Sequence, residues 1–182
     1  TAMASLILRG QDMSTIEDEI RKVYVRPIMK SETWNNKVTE YIPDDFLLVD
    51  KIHEAVRRLF EPEAGQVASN VRIINLSIGI RYREFYNIIS PLARLLDWLS
   101  YKYRVLFIVS AGNHPEAIDT GLDFNDFKKL SDEDKDGIII KFIDQDIRNR
   151  RLLSPAESMN ALTVGATFTD NNDENPIGPL AK

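Results

Sequence analysis

Cysteine is absent from the 182 residues, so neither a disulfide nor a thiolate metal site can form, while the redox compartment stays open. Histidine is scarce. With only His53 and His114, a histidine-rich metal site is excluded as well. No apolar run approaches the roughly 20 residues that a membrane-crossing helix needs. The first residues show no basic segment followed by a hydrophobic one, so no signal peptide is legible in this chain. A basic excess is also missing: 23 Lys and Arg against 28 Asp and Glu leave a net charge of −5. That balance argues against nucleic acid as a partner. Neither Gly-x-Gly-x-x-Gly nor Gly-x-x-x-x-Gly-Lys occurs, which disfavours a nucleotide-binding α/β domain because nothing cradles a phosphate. What remains is the composition of a water-soluble globular domain, 43% hydrophobic and 28% charged, long enough to bury a core.

Two segments carry most of the information. Val71–Gly79 (VRIINLSIG) and Leu106–Asn113 (LFIVSAGN) are apolar, β-branched runs that end abruptly in small polar residues. Such runs suit strands of a parallel sheet buried on both faces. Ligands bind outside the carboxyl ends of such strands, which is where Ser77, Gly79, Ser110, Gly112 and Asn113 fall. Glycine lets a backbone approach a ligand closely, and asparagine offers an amide donor.

The remaining elements alternate around these strands. The apolar start, Ala2 to Leu8, predicts a helix that stops at Gly10. Ser14 with Glu17 forms a capping box for a short helix over Ile16–Arg21. Val23–Met29 reads as a strand, and residues 30–43 as polar and irregular. Asp44 or Asp45 is expected to cap a helix with an apolar stripe at Leu48, Ile52, Ala55, Val56 and Leu59. Residues 61–70 form a linker with Pro62 and Gly65. Pro91 suits the first position of a helix whose stripe is Leu92, Leu95, Leu96 and Leu99. Residues 115–150 form a charged insertion, predicted to be largely helical, in which Ile138, Ile139, Phe142 and Ile143 dock on the body. Ala161–Thr167 is a further strand, and Asn171–Pro179 a turn-rich tail. Strands alternating with helices predict an α/β protein with a mostly parallel sheet.

At the two strand ends the sequence resembles the subtilisin-like serine peptidases. The family's Asn-x-Ser-x-Gly is similar to Asn75-Leu76-Ser77-Ile78-Gly79, and its Ala/Ser-Ala-Gly-Asn to Ser110-Ala111-Gly112-Asn113. A Pro-Ala-x-x-x-Asn-x-x-x-Val-Gly-Ala segment corresponds to Pro155-Ala156 through Asn160 and on to Val164-Gly165-Ala166. Thr1-Ala2-Met3-Ala4-Ser5 is similar to the helix that follows the family's His-Gly. The resemblance implies a three-layer α/β/α fold and an incomplete catalytic domain. Thr1 would stand just after the missing His-Gly, and the chain would end before the Gly-Thr-Ser of the nucleophile.

It further implies that Asn113 is the oxyanion-hole side chain. Ser77, Ile78 and Gly79 would form the edge that pairs with an extended substrate, and Ser110, Ala111 and Gly112 would line the pocket for the residue before the scissile bond. Neither His-Gly-Thr nor Gly-Thr-Ser occurs here. The chain is then expected to hold the oxyanion donor and the substrate walls, but not the Asp/His/Ser triad. Its partners would be a peptide or protein substrate and the remainder of its own catalytic domain, with no cofactor, metal or membrane. A non-catalytic peptide- or protein-binding domain of the same family is the alternative.

Two histidines and one acidic segment fit plainer roles. His114 beside Asn113 has no recognisable nucleophile to serve and reads as a loop residue. His53 reads as a partly exposed helix residue. Asp132-Glu133-Asp134-Lys135-Asp136-Gly137 imitates the start of a calcium loop, but the twelfth position is Ile143 instead of a bidentate glutamate. Ser131 and Asp134 as a helix-capping pair explain the same letters.

Overall fold

A computed structural model describes Ile7, residues 22–34, 37–114 and 118–166. Of the opening helix only Ile7 is described, and it is helical. The Ser14/Glu17 capping box, Thr167 and the 171–179 tail lie outside the described residues. The chain divides into two compact units, Thr1–Val71 and Arg72–Lys182.

In the first unit, β1 (Lys30–Trp34) and β2 (Lys37–Tyr41) form an antiparallel hairpin in which Lys30 pairs with Tyr41 and Trp34 with Lys37. Asn35 and Asn36, which stand between the strands in the sequence, lie outside the described residues. A two-residue connection between β-formers is the hairpin signal that the polar composition of 30–43 obscured. Val23–Met29 is not a strand. Val25 is 64% exposed, and Pro27 has no N–H to give a ladder.

Helix α1 (Leu48–Phe60) buries Ile52, Val56 and Leu59, the stripe its 3.6-residue period dictates. Its N-cap is Leu47, with no side-chain cap bond. Asp44 and Asp45 sit in the turn before it and lie too early to cap it. At the far end Arg57 Nε donates to Glu61 Oε2 at 2.6 Å. A 3₁₀ turn, Pro62–Ala64, then closes on Gly65 at φ +90°, a conformation that glycine adopts without steric cost.

The second unit is α/β. Strands β3 (Ile73–Leu76), β4 (Leu106–Ser110) and β5 (Ala161–Val164) form a parallel sheet in the order β3-β4-β5. Ile74, Phe107 and Ala161 stand in register, one residue ahead of Asn75, Ile108 and Leu162. Helix α2 (Pro91–Tyr103) crosses from β3 to β4. Pro91 occupies its first turn, and Ser90 Oγ caps it by accepting from Ala93 N at 3.1 Å. Leu92, Ala93, Leu96 and Leu99 are at most 2% exposed, as are Phe107 and Val109 of β4. These residues are the core.

Only one sheet face is covered among the described residues. On the other, Ile73 is 60%, Leu106 41%, Leu162 52% and Val164 46% exposed. Among the described residues these strands are therefore covered on one face. Their continuous apolar runs match the parallel-sheet pattern, but the pattern does not say which face is covered.

The charged stretch after β4 contains α3 (Phe124–Lys129) and α4 (Asp132–Gln145). Ser131 Oγ accepts from Asp134 N and donates to Asp134 Oδ2 at 2.6 Å, a reciprocal cap. Asp132 to Asp136 are thus helical and do not form a cation-binding loop. No residue of α4 is fully buried, and Ile143 is 40% exposed. Of the four residues expected to dock, Ile138, Ile139 and Phe142 are half-buried and Ile143 is exposed, as is Ile140 at 66%.

Candidate functional site

Strands β3 and β4 run parallel and side by side, so Ser77–Gly79 and Ala111–Asn113 leave the sheet at the same carboxyl end. After β3, Asn75 Nδ2 donates to Ser77 Oγ at 3.0 Å, and Ile78 N donates to Leu76 O. These bonds tighten the exit from the strand. After β4, Ser110 Oγ accepts from Gly112 N at 3.2 Å, and Ala111 N extends the ladder to Val164 O at 2.9 Å.

The two exits meet at their glycines. A Cβ placed on Gly79 would stand 3.3 Å from Gly112 Cα. Gly112 itself has φ +104°, so any side chain there is strained by its backbone as well as by its surroundings. Asn113 follows and is exposed.

His114 is half-buried, with Nε2 2.7 Å from the Arg151 carbonyl oxygen. A carbonyl only accepts, so this nitrogen carries the proton and donates it. The ring is committed to holding the 146–151 turn. His53 lies on α1 in the other unit and is half-buried.

Sequence reasoning missed a third chain segment at this place. Leu152–Ser154 is laced on one side to residues after β3, through Ile80 N→Ser154 O at 2.9 Å, Phe85 N→Leu152 O at 2.9 Å and Ser154 N→Arg83 O at 3.0 Å. On its other side Leu153 N donates to Ala111 O at 3.1 Å. Leu153 is 3% exposed. The Ser154–Pro155 bond is cis. The only pointer in the sequence was the Pro155-Ala156 pair just downstream, which says nothing about Leu153 itself.

Behind this segment is a small cavity of about 150 Å³ lined by residues that include Arg83, Glu84, Ser90, Ser154 and Glu157. There the Ser90 and Ser154 hydroxyls are 2.6 Å apart, and Ser90 N donates to Glu157 Oε1 at 3.0 Å. It contains neither Gly79 nor Asn113 in its wall. No group of three or more His, Asp or Glu side chains fit to hold a metal occurs among the described residues.

Comparison with protein families gives a match to the subtilase family model, Peptidase_S8, over residues 1–176. Searches of curated proteins and of solved structures give no match.

Proposed function

We propose that this chain, which belongs to the subtilase family, supplies the oxyanion donor and the substrate-binding walls of a serine endopeptidase. Family membership makes the protein serine peptidase-type, with a peptide or protein as substrate. The finer assignment is supported by one observation above the rest. The exits of two adjacent parallel strands converge at Gly79 and Gly112, and Asn113 stands next in the chain.

In this reading Ser77, Ile78 and Gly79 offer backbone groups to an extended substrate, which joins as an added strand. Ser110, Ala111 and Gly112 form the facing wall for the side chain before the scissile bond. Asn113 directs its amide at the carbonyl oxygen as that oxygen gains charge, stabilising the tetrahedral intermediate. The nucleophile, base and orienting carboxylate come from outside these 182 residues, which contain neither His-Gly-Thr nor Gly-Thr-Ser. His114 is assigned no proton transfer in this reading, and its Nε2 bonds to the Arg151 carbonyl.

Without a nucleophile and base, only weak residual effects of binding and the oxyanion donor remain. The 182-residue chain should therefore neither cleave casein nor be labelled by a serine-directed fluorophosphonate, whereas the full-length protein should do both. Labelling of the 182-residue chain would contradict the division of roles. A full-length protein that binds peptides but is never labelled would favour a non-catalytic binding domain, a reading the missing motifs also allow.

A further inference from the structure

We infer that the exposed arginines of residues 81–83 and 148–151 form a surface for acidic side chains, so that the preferred substrate carries a run of Glu or Asp beside the segment that pairs with Ser77–Gly79. The inference rests on the peptide-binding reading of that edge and narrows its substrate class.

Two stretches far apart in the chain are joined here. Phe85 N donates to Leu152 O at 2.9 Å and Ser154 N to Arg83 O at 3.0 Å, and Glu84 and Leu153 form an isolated antiparallel bridge. Tyr86 Oη donates to Arg148 O at 2.6 Å, and the Arg151 guanidinium lies 5.0 Å from the centre of the Tyr86 ring. Arg81, Arg83, Arg148 and Arg151 are all exposed. In a chain of net charge −5, these joined segments reverse the sign locally. They also adjoin the peptide edge. A turn closed by Arg83 N→Ile80 O at 3.2 Å follows Gly79 directly, and Tyr82 within it has φ +59° and is 83% exposed.

The nearby acids in the sequence do not neutralise this surface. Asp146 is taken by Asn149 and Arg150. Glu84 is half-buried and lines the internal cavity. Elsewhere in the same unit Lys129 pairs with Asp126 and Lys135 with Asp132, whereas none of the four exposed arginines has an ion pair among the described residues. An unpaired guanidinium offers a planar fork that matches a carboxylate with two parallel bonds. Stacking on Tyr86 already restricts Arg151, which lowers the entropy it loses on binding.

The test uses the 182-residue chain and fluorescein-labelled peptides in which a tetra-alanine core carries three Glu or three Gln at its amino or its carboxyl end. Fluorescence anisotropy gives the affinity, and the amide resonances of Gly79 and Gly112 report whether the core reaches the strand exits. At one of the two ends Glu should bind about tenfold tighter than Gln, as roughly three exposed ion pairs give at low salt. The gain should fade as salt is added. The double variant Arg81→Gln/Arg151→Gln should remove most of it, and Arg148→Gln serves if that pair disturbs the fold. Lys128→Gln/Lys141→Gln, the same loss of charge elsewhere on the unit, should leave it.

Equal affinity for Glu and Gln peptides at both ends would overturn the inference, as would a gain that the lysine pair removes equally. A uridine octanucleotide that binds tighter than the Glu peptides, and is lost in the arginine variants, would assign the surface to nucleic acid instead. If Glu and Gln peptides move the two glycine amides alike and bind alike, the peptide edge stands and this inference fails. If the Glu gain depends on the arginines while the glycine amides stay still, the acidic preference stands and the peptide-edge reading fails.

Discussion

Ser158 donates its hydroxyl proton to Asp97 Oδ1 across 2.6 Å, tying helix α2 to the segment that leads into β5. The same oxygen accepts from Asn160 N at 2.8 Å, and Asn160 Nδ2 returns a bond to Asp97 O at 3.2 Å. Ser158 is 7% exposed, so its hydroxyl has little water to turn to. Asp97→Ala leaves a buried hydroxyl and a backbone N–H without their acceptor and should cost about 1–3 kcal/mol. Urea unfolding reads this as a lower midpoint at unchanged slope. An unaltered midpoint would show that the bonds contribute nothing net.

Leu96 is fully buried between α2 and the sheet. Leu96→Ala removes its transfer free energy and leaves a cavity, at an expected cost of about 2–5 kcal/mol. On the opposite sheet face, Leu162 is 52% exposed. Leu162→Ala should therefore cost much less by the same denaturant measurement, and equal costs would mean that this face is covered in solution.

Much of this structure was legible before any coordinates. The stripes at Ile52, Val56 and Leu59 and at Leu92, Leu96 and Leu99 follow from helical period, and Pro91 marks its helix start correctly. The β3–β4 pair and the common end of Ser77 and Asn113 follow from two apolar runs with the same ending. Period alone could not say which sheet face is covered, because a parallel strand shows no alternation to read. The hairpin of Lys30–Tyr41 escaped because its side chains are polar on both faces and its only signal is the spacing of its turn. Leu153 was invisible for a different reason. Its position beside Ala111 and Gly112 depends on where the chain returns after a long insertion, and no local pattern encodes that return.

The carboxyl of Asp146 is held below its ordinary pKa, first by the hydrogen bond from Asn149 Nδ2 at 2.7 Å and then by Arg150 Nε at 2.8 Å; His114 adds a smaller electrostatic contribution in the same direction. A lowered folded-state value means that the stabilisation is present above the carboxylate's unfolded pKa. It is lost as the pH falls through the folded value. Asn149→Ala should move the Asp146 midpoint upward in an NMR titration of its carboxyl carbon. A midpoint that stays put would assign the shift to Arg150 instead.

The oxyanion assignment is tested most directly by turnover in the full-length protein. Asn113→Ala should lower kcat by about 10²–10³, a barrier increase of roughly 2.7–4 kcal/mol. KM should barely move, because the bond strengthens only as charge develops on the carbonyl oxygen. His114→Ala should have a much smaller effect, since its Nε2 bonds to the Arg151 carbonyl and the proposal assigns it no proton transfer. Near-normal turnover in Asn113→Ala, together with its loss in His114→Ala, would contradict the assignment of the site.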